Sequence, residues 1–252
     1  MSDNSTLINE ITSLRDILIN SLIIKDPTPI EDVLAQFRRN LQNNTCQYQL
    51  VDLTFVNDKK YGHVRPIQIT PSASEPIEIR LGADVKVNTS YEFSDIQSMN
   101  IDIEYEASWI PDEETQKIII KKSHGSWHLD YHLPSGQPTT FIHPMYHFHH
   151  GGRKMYNHQD YGNIMIMDAP RVAHPPLDIV LSIDFVIANF LGDKWNLLMQ
   201  DSAYTSLIKN AQDRWWRQYY LDIAAFWGHT VPVLPTSAAS SLSARNILPS
   251  LI

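Results

Sequence analysis

Histidine is concentrated in one stretch of the chain, WHLDYHLPSGQPTTFIHPMYHFHHGG, which runs from Trp127 to Gly152. Six of the 11 histidines lie there. Imidazole is a common ligand of zinc and other transition metals, and it changes its charge near neutral pH. The question that the sequence raises is whether these groups bind a metal ion, bind a partner or form a plain polar surface.

Two short runs within this stretch alternate with a period of two, as a half-buried strand does. The polar positions of both runs form one set: His128, Asp130, His132, His147 and His149. The positions between them are apolar: Trp127, Leu129, Tyr131, Tyr146 and Phe148. If the two runs pair, four imidazoles and one carboxylate share one face of a sheet and the apolar residues share the other.

A metal centre is the first chemistry that this face could support. Zinc takes three or four ligands in a tetrahedron, and histidines two residues apart on a strand present their rings to one side. The candidate ligands are His128, Asp130, His132, His147 and His149, with Asp130 as a ligand or a general base. The arrangement is similar to cupin-type sites, although no acid follows His149 before Asp160. The prediction is a metal-dependent hydrolase, or another metalloenzyme, that holds one zinc or iron ion.

A solvated polar surface is the alternative, because imidazole tolerates half-burial on a sheet. The two interpretations differ in one observable, the metal content of protein purified without a His tag. A metal site predicts about one ion per chain, and a solvated face predicts protein that contains no metal.

Two helices are expected before the sheet, as an N-terminal helical hairpin. The first apolar stripe recurs at steps of three and four and consists of Leu7, Ile11, Leu14, Leu18 and Leu22. Thr28 can cap the second helix, with Pro29 at its first position and Glu31 completing a capping box. The second stripe consists of Ile30, Val33, Leu34, Phe37 and Leu41.

From Gln47 the hydrophobic period is two, which predicts an antiparallel meander of short strands. The apolar faces of four expected strands are Val51, Leu53 and Phe55; Ile77, Ile79, Leu81, Val85 and Val87; Met99, Ile101, Ile103 and Tyr105; and Ile118, Ile119 and Ile120. The segment from Ser123 to Ser126 is expected to end the fourth strand before Trp127.

Two helices are expected to follow the meander and to pack on the sheet. The first opens at His174-Pro175-Pro176 and is apolar on nearly every side through Leu191; the second follows a cap at Asp201. Its apolar stripe is Tyr204, Leu207, Ile208, Ala211 and Trp215, and its water-facing residues are Lys209, Asp213, Arg214 and Arg217. The predicted class is α+β, with a helical hairpin over residues 1–45, a core domain over 46–228 and a flexible tail over 229–252.

Composition limits the classes of partner. Hydrophobic residues make up 43% of the chain, charged residues 19%, and the net charge is -8, so we expect a globular protein that does not bind nucleic acid. The polar start MSDNST lacks the features of a signal peptide, and the longest apolar run is too short for a bilayer. The expected location is the cytoplasm, with no membrane partner. Cys46 is the single cysteine, which excludes an intramolecular disulfide.

Three segments of the second half resemble motifs of the ubiquitin-conjugating enzyme family. His143-Pro144-Met145 resembles the family's His-Pro-Asn motif, and GNIMIMD, from Gly162 to Asp168, resembles its Gly-x-Ile-Cys-Leu-Asp motif with one additional residue. Leu177 to Ile183 resembles the start of the family's crossing helix. The resemblance covers about residues 99 to 227 and implies the fold of that family.

The departures from these motifs bear on activity. The family's nucleophile is a cysteine, because a thiolate forms the thioester to the modifier, and Met165 stands near that position. Met145 replaces the asparagine that would stabilise an oxyanion. The resemblance therefore implies a catalytically inactive relative, a non-enzymatic adaptor that binds a protein partner. This adaptor is the favoured expectation, and the metalloenzyme is the alternative.

Overall fold

The computed structural model of the chain describes residues 4–40, 45–57, 77–88, 91, 93–109, 121–132, 143–151, 155 and 171–226. Within these ranges the chain forms five α-helices and a six-stranded antiparallel sheet, whose strands lie side by side in chain order. The α+β class and the meander are confirmed. The expected strand at Ile118 to Ile120, the GNIMIMD segment and the tail over 229–252 lie outside the described residues.

The helices and strands have the following bounds. The helices are α1 Asn4–Asn20, α2 Thr28–Asn40, α3 Ile179–Phe190, α4 Gly192–Leu198 and α5 Ser202–Phe226. The strands are β1 Thr45–Phe55, β2 Glu78–Asn88, β3 Ile96–Trp109, β4 Lys121–Tyr131, β5 Tyr146–His150 and β6 Val172–Ala173. A single 3₁₀ turn at Phe93–Asp95 precedes β3. None of the helices in the described ranges is long and apolar enough to cross a membrane.

The described residues of the N-terminal stripes are buried as expected, with one exception, and Leu41 lies outside the described residues. The side chains of Leu7, Ile11, Leu14 and Leu18 are fully buried, and so are those of Ile30, Val33 and Phe37. Leu22 is 72% exposed and was wrongly assigned to the stripe. It lies beyond the end of α1 with φ 53°, a left-handed residue of the kind that closes a helix, and the N–H of Ile23 binds the carbonyl of Leu18. At the start of α2, the carboxylate of Asp26 accepts a hydrogen bond from the Thr28 N–H.

The helices pack on one face of the sheet. In β2 the burial alternates strictly, with Ile79, Leu81 and Val85 on the covered face. The alternation breaks in β1, where the pairing shifts between Leu50 and Leu53. Because of this bulge Val51 turns outward and is 62% exposed, so its predicted place beside Leu53 was wrong.

Strand β4 does not end before Trp127. The predicted break at Ser123 to Ser126 was wrong, since β4 pairs with β3 without interruption from Lys121 to Asp130. Gly125 fits within the strand because the ring of Tyr105, directly opposite on β3, lies over it. A Cβ atom at position 125 would lie 2.1 Å from that ring. The glycine therefore provides room for an aromatic side chain rather than a turn.

The C-terminal helices differ from the prediction in two places. Helix α3 begins at Ile179, later than expected, because Asp178 is its N-cap and accepts the Leu181 N–H at 2.9 Å. The short helix α4 was not expected. Asp184 of α3 accepts hydrogen bonds from the Trp195 indole at 2.9 Å and from the Tyr204 hydroxyl at 2.8 Å, and so joins all three helices.

Arg214 of α5 does not face water as predicted. Its side chain is 8% exposed and lies 2.9 Å from the Glu10 carboxylate and 3.7 Å from the Asp178 carboxylate. The guanidinium also lies 5.9 Å from the ring centroid of Tyr91. This buried charge cluster joins α1, α3 and α5. The guanidinium of Arg214 can be internal because the two carboxylates compensate its charge.

Helix α2 is hydrogen bonded to the outer side of β1 through amide side chains. The Gln36 Nε2 donates to the Gln49 carbonyl at 2.9 Å, and the Gln36 Oε1 accepts from the Gln49 N–H at 2.8 Å. The Asn40 Nδ2 donates to the Gln47 carbonyl. The side chains of Gln36 and Asn40 thus form some of the hydrogen bonds that a further strand would form with β1.

Candidate functional site

The two histidine-bearing runs are adjacent strands, as the sequence predicts. Strand β4 pairs with β5 so that His128 lies opposite His149 and Asp130 lies opposite His147. This register places the four side chains on one face, because opposite residues of an antiparallel pair point to the same side. One row of this face crosses the whole sheet, from Gln49 through Asp84, Asn100, Asp130 and His147 to Ala173.

The division into a buried apolar face and a solvated polar face holds only in part. Leu129, Tyr146 and Phe148 are buried on the helix side, while Trp127 and Tyr131 are half-buried. On the polar side, His147 is 1% exposed and His149 is 6% exposed. These two imidazoles are therefore internal groups, which a solvated sheet surface does not explain.

A cavity of about 730 Å³ lies over the polar side of the strands. All five predicted site residues line it: His128, Asp130, His132, His147 and His149. Two more lining residues, His143 and Arg171, were not assigned to the site from the sequence. Apart from Asp84 and Arg171, the lining side chains that carry a charge or an imidazole form two groups within the cavity.

The first group, which we call the histidine corner, consists of His128, Asp130 and His149. The His128 Nε2 lies 3.2 Å from the Asp130 Oδ2 and 3.2 Å from the His149 Nδ1. Burial raises the pKa of Asp130, but the hydrogen bond and charge of His128 outweigh it, so the pKa lies below its usual value. Asp130 is therefore ionised at neutral pH, and the His128 Nε2 donates a proton towards it.

The second group, which we call the histidine stack, consists of His132, His143 and His147. The rings of His132 and His143 are stacked with centroids 4.0 Å apart, and the ring of His147 meets that of His143 edge-on at 4.6 Å. Burial, together with the charges of His132 and Arg171, lowers the pKa of His143. His132 was predicted to lie beside the other four candidate residues. It lines the same cavity as they do, but its ring stacks on that of His143.

The tautomer of His147 follows from its hydrogen bond. Its Nδ1 lies 2.9 Å from the Pro144 carbonyl, which can only accept, so Nδ1 carries the proton. Burial lowers the pKa of His147 to about 4, so the ring is neutral at pH 7. Its Nε2 therefore carries a lone pair rather than a proton. A ring oriented in this way by a backbone carbonyl is the usual state of a metal-binding histidine.

We expect the neutral state of His147 to make the protein less stable in acid. The unfolded chain takes up a proton near the ordinary pKa of 6.5, whereas the folded protein does so only near 4. The free energy of unfolding should therefore fall as the pH is lowered from 6.5 to 4, by about 2 kcal/mol after allowance for solvent screening. Urea unfolding of protein in chelator at pH 7 and pH 4.5 measures the difference. An unchanged difference in His147→Gln would contradict it.

Arg171 reaches the site through the pairing of β6 with β5. His147 lies opposite Ala173 and Phe148 lies opposite Val172, and Arg171, which directly precedes β6, lines the cavity. No signal in the sequence indicated this, because β6 has only two residues and is separated from β5 by 21 residues. His143 could have been found, since its neighbour Pro144 supplies the carbonyl that orients His147.

Among the residues that the structure describes, no three His, Cys, Asp or Glu side chains already converge on a common point where a metal ion would sit. The side chains of the histidine corner would thus have to turn towards an ion in order to bind it. In comparisons with known proteins, no family model, no curated protein and no solved structure matches the chain.

Proposed function

We propose that this protein binds one divalent transition-metal ion in the histidine corner and acts as a metal-dependent hydrolase. The spacing of the donor atoms carries the proposal. Around a tetrahedral zinc ion with bonds of about 2.05 Å, neighbouring donors lie about 3.3 Å apart. The His128 Nε2 lies 3.2 Å from both the Asp130 Oδ2 and the His149 Nδ1, which is close to that separation.

The protonation states of the corner suit a cation. Asp130 is ionised, and the His128 Nε2 lies 3.2 Å from its carboxylate and 3.2 Å from the His149 Nδ1. A metal ion would take the place of the proton that these atoms share, with release of that proton. The neutral His147, directly opposite Asp130 on β5, is a further donor within reach. Imidazole together with carboxylate suits zinc, iron and nickel.

The surroundings favour a hydrolase over a purely structural metal site. Structural zinc sites are closed by four protein ligands, whereas hydrolytic sites have three and leave a position for water or substrate. In the corner three side chains provide donors, and the cavity of about 730 Å³ lies beside them. Its volume is in the range of small-molecule binding sites.

Metal analysis of protein purified without a His tag tests the proposal. We expect about one zinc, iron or nickel ion per chain by mass spectrometry, because the ligands are held on two paired strands. Chelation should lower the melting temperature, and a panel of activated esters and phosphoesters should be hydrolysed only by the metal-loaded protein. Metal-free protein that zinc neither binds nor stabilises would rule out the proposal.

An adaptor related to ubiquitin-conjugating enzymes is the second candidate, and Cys46 favours it. The side chain is 1% exposed, and burial raises the pKa of this thiol to about 12. At neutral pH the chain's only cysteine is therefore a thiol rather than the thiolate that thioester formation needs. Met145, at the position of the family's asparagine, is also buried. The expected ligand of such an adaptor is a protein.

Replacing Cys46 with alanine should have little effect under either candidate. The cavity left by the thiol should lower the free energy of unfolding by about 1 kcal/mol, which urea unfolding measures. Metal content and partner binding should be unchanged. A modifier protein captured on Cys46 as an adduct that a reducing agent releases would show that the cysteine is a nucleophile and would contradict the adaptor.

A further inference from the structure

The polar row that crosses the sheet brings two carboxylates into one cavity. Asp84 of β2 lies opposite Asn100 of β3, which in turn lies opposite Asp130 of β4. All three side chains line the cavity of about 730 Å³. Neighbouring strands lie about 4.8 Å apart, so the two carboxylates are separated by about 10 Å along the row. The Asp130 side chain is 39% exposed, so its carboxylate is accessible to a ligand in the cavity.

The row continues to a buried imidazole at the closed end of the cavity. His147 lies directly opposite Asp130 and lines the cavity although it is only 1% exposed. Its Nδ1 donates to the Pro144 carbonyl, so its Nε2 carries a lone pair. Within the described ranges, no hydrogen bond reaches this Nε2. A buried acceptor and a carboxylate therefore lie side by side, where buried polar groups are normally hydrogen bonded.

The charges around these two acceptors favour a cation. Burial is the main cause of the low pKa of His147, and of the two permanent charges beside it, the Asp130 carboxylate acts more strongly than the Arg171 guanidinium. A primary ammonium group has three N–H donors and a positive charge, whereas a hydroxyl has one donor and no charge. An ammonium group between the Asp130 carboxylate and the His147 Nε2 would thus donate to both acceptors and compensate the carboxylate.

We propose that the cavity binds an organic diamine, with one ammonium group between Asp130 and His147 and the other at Asp84. Asp84 lies two and a half strand spacings, or about 12 Å, from the midpoint between Asp130 and His147. A hydrogen bond of about 2.8 Å to the Asp84 carboxylate leaves about 9 Å between the two nitrogen atoms. An extended chain of five or six carbons spans this distance and lies over Asn100.

This site needs no metal ion. Asp130 is also a candidate metal ligand, so an ion in the histidine corner and the ammonium group would exclude each other. Binding of the diamine is therefore measured on protein that has been treated with chelator and dialysed. Its outcome is then separate from that of the metal analysis.

Calorimetric titration of 1,6-diaminohexane into this metal-free protein, at pH 7 and constant ionic strength, tests the proposal. The diamine should bind at least about tenfold more tightly than hexylamine, which lacks the second ammonium group. It should exceed 1,2-diaminoethane by a similar factor, because that chain is too short to reach both carboxylates. The uncharged 1,6-hexanediol should show no measurable binding.

Amide variants of the two carboxylates keep the side-chain shape and remove the charge. In Asp130→Asn the diamine should bind at least about tenfold more weakly, and hexylamine binding should be lost. In Asp84→Asn the diamine should bind only as tightly as hexylamine, whose own affinity should be unchanged. Asp213→Asn removes an exposed carboxylate of α5 and should behave as wild type.

Three results would overturn the proposal. The first is that 1,6-diaminohexane does not bind to the wild-type protein. The second is that Asp84→Asn and Asp130→Asn both bind it as tightly as wild type. The third is an equal weakening in Asp213→Asn, which would mean that the diamine is attracted to a protein of net charge -8 as a whole rather than to this cavity.

Discussion

Replacing Arg214 with methionine should lower the free energy of unfolding by about 3–5 kcal/mol. The guanidinium is 2.9 Å from the Glu10 carboxylate and 3.7 Å from that of Asp178, and all three side chains are buried. Methionine fills a similar volume but leaves two carboxylates in the core without a counter-ion. The 2.9 Å contact between the Nη2 and Glu10 Oε2 atoms is an ion pair. Urea unfolding at pH 7 measures the loss.

The dependence of this loss on pH and on position checks its cause. Burial raises the pKa of Asp178 against the opposing effect of Arg214, so removal of Arg214 raises it further. A carboxyl with a raised pKa binds protons more tightly when folded, so the variant should recover stability as the pH falls. Arg217→Met, on the exposed side of α5, should change stability by less than about 0.5 kcal/mol. A loss below about 1 kcal/mol for Arg214→Met would show that the cluster is not a buried ion pair.

Zinc should stabilise the folded protein by about 2.7 kcal/mol at a free concentration 100-fold above its dissociation constant. The reason is linkage, since the corner holds its donors together only when β4 and β5 are paired. In His128→Ala with His149→Ala the stabilisation should disappear, because two of the three donors are gone. Thermal unfolding with zinc and with chelator measures both states.

A neighbouring histidine provides the control for this prediction. His150 follows His149 directly but is exposed and lies opposite Trp127, on the other side of the sheet. His150→Ala should keep the full response to zinc. An equal loss of response in this variant would mean that zinc binds to surface imidazoles. A double variant of the corner that still responds in full would place the ion elsewhere.

The sequence predicts those parts of the fold that depend on local periodicity. The burial alternates with a period of two through β2, and the polar side of β4 and β5 is the predicted one. Asp201 accepts the Ala203 N–H at 2.8 Å at the start of α5, as its position before an apolar stripe indicates. These features are set by neighbours within a few residues.

The sequence-based predictions are wrong at positions whose burial or conformation depends on residues that are distant in the sequence. Gly125 reads as a break, but the ring of Tyr105 on the next strand fills the space above it. The alternation in the sequence places Val51 on the same face as Leu53, but a bulge in β1 turns its side chain outward. Arg214 is at a polar position of an amphipathic helix, and only the approach of α1 and α3 makes that position internal.

The sequence likewise predicts part of the candidate site and misses the rest. Five of its residues follow from alternation within two runs, but the burial of His147 and His149 depends on the rest of the fold. Arg171 could not be predicted, because a two-residue strand has no period to detect. The grouping of the imidazoles into a corner and a stack depends on side-chain rotamers, which sequence spacing does not specify.

The contact between Gln36 and β1 has a consequence for solubility. A meander in chain order has two open edges, and an unpaired edge strand can template pairing with a second chain. At one edge, β6 is only two residues long. At the other, the Gln36 amide occupies both the N–H and the carbonyl of Gln49, so an incoming strand meets groups that are already bonded. Helix α2 thus protects the sheet from edge-to-edge aggregation, in addition to packing against its apolar face.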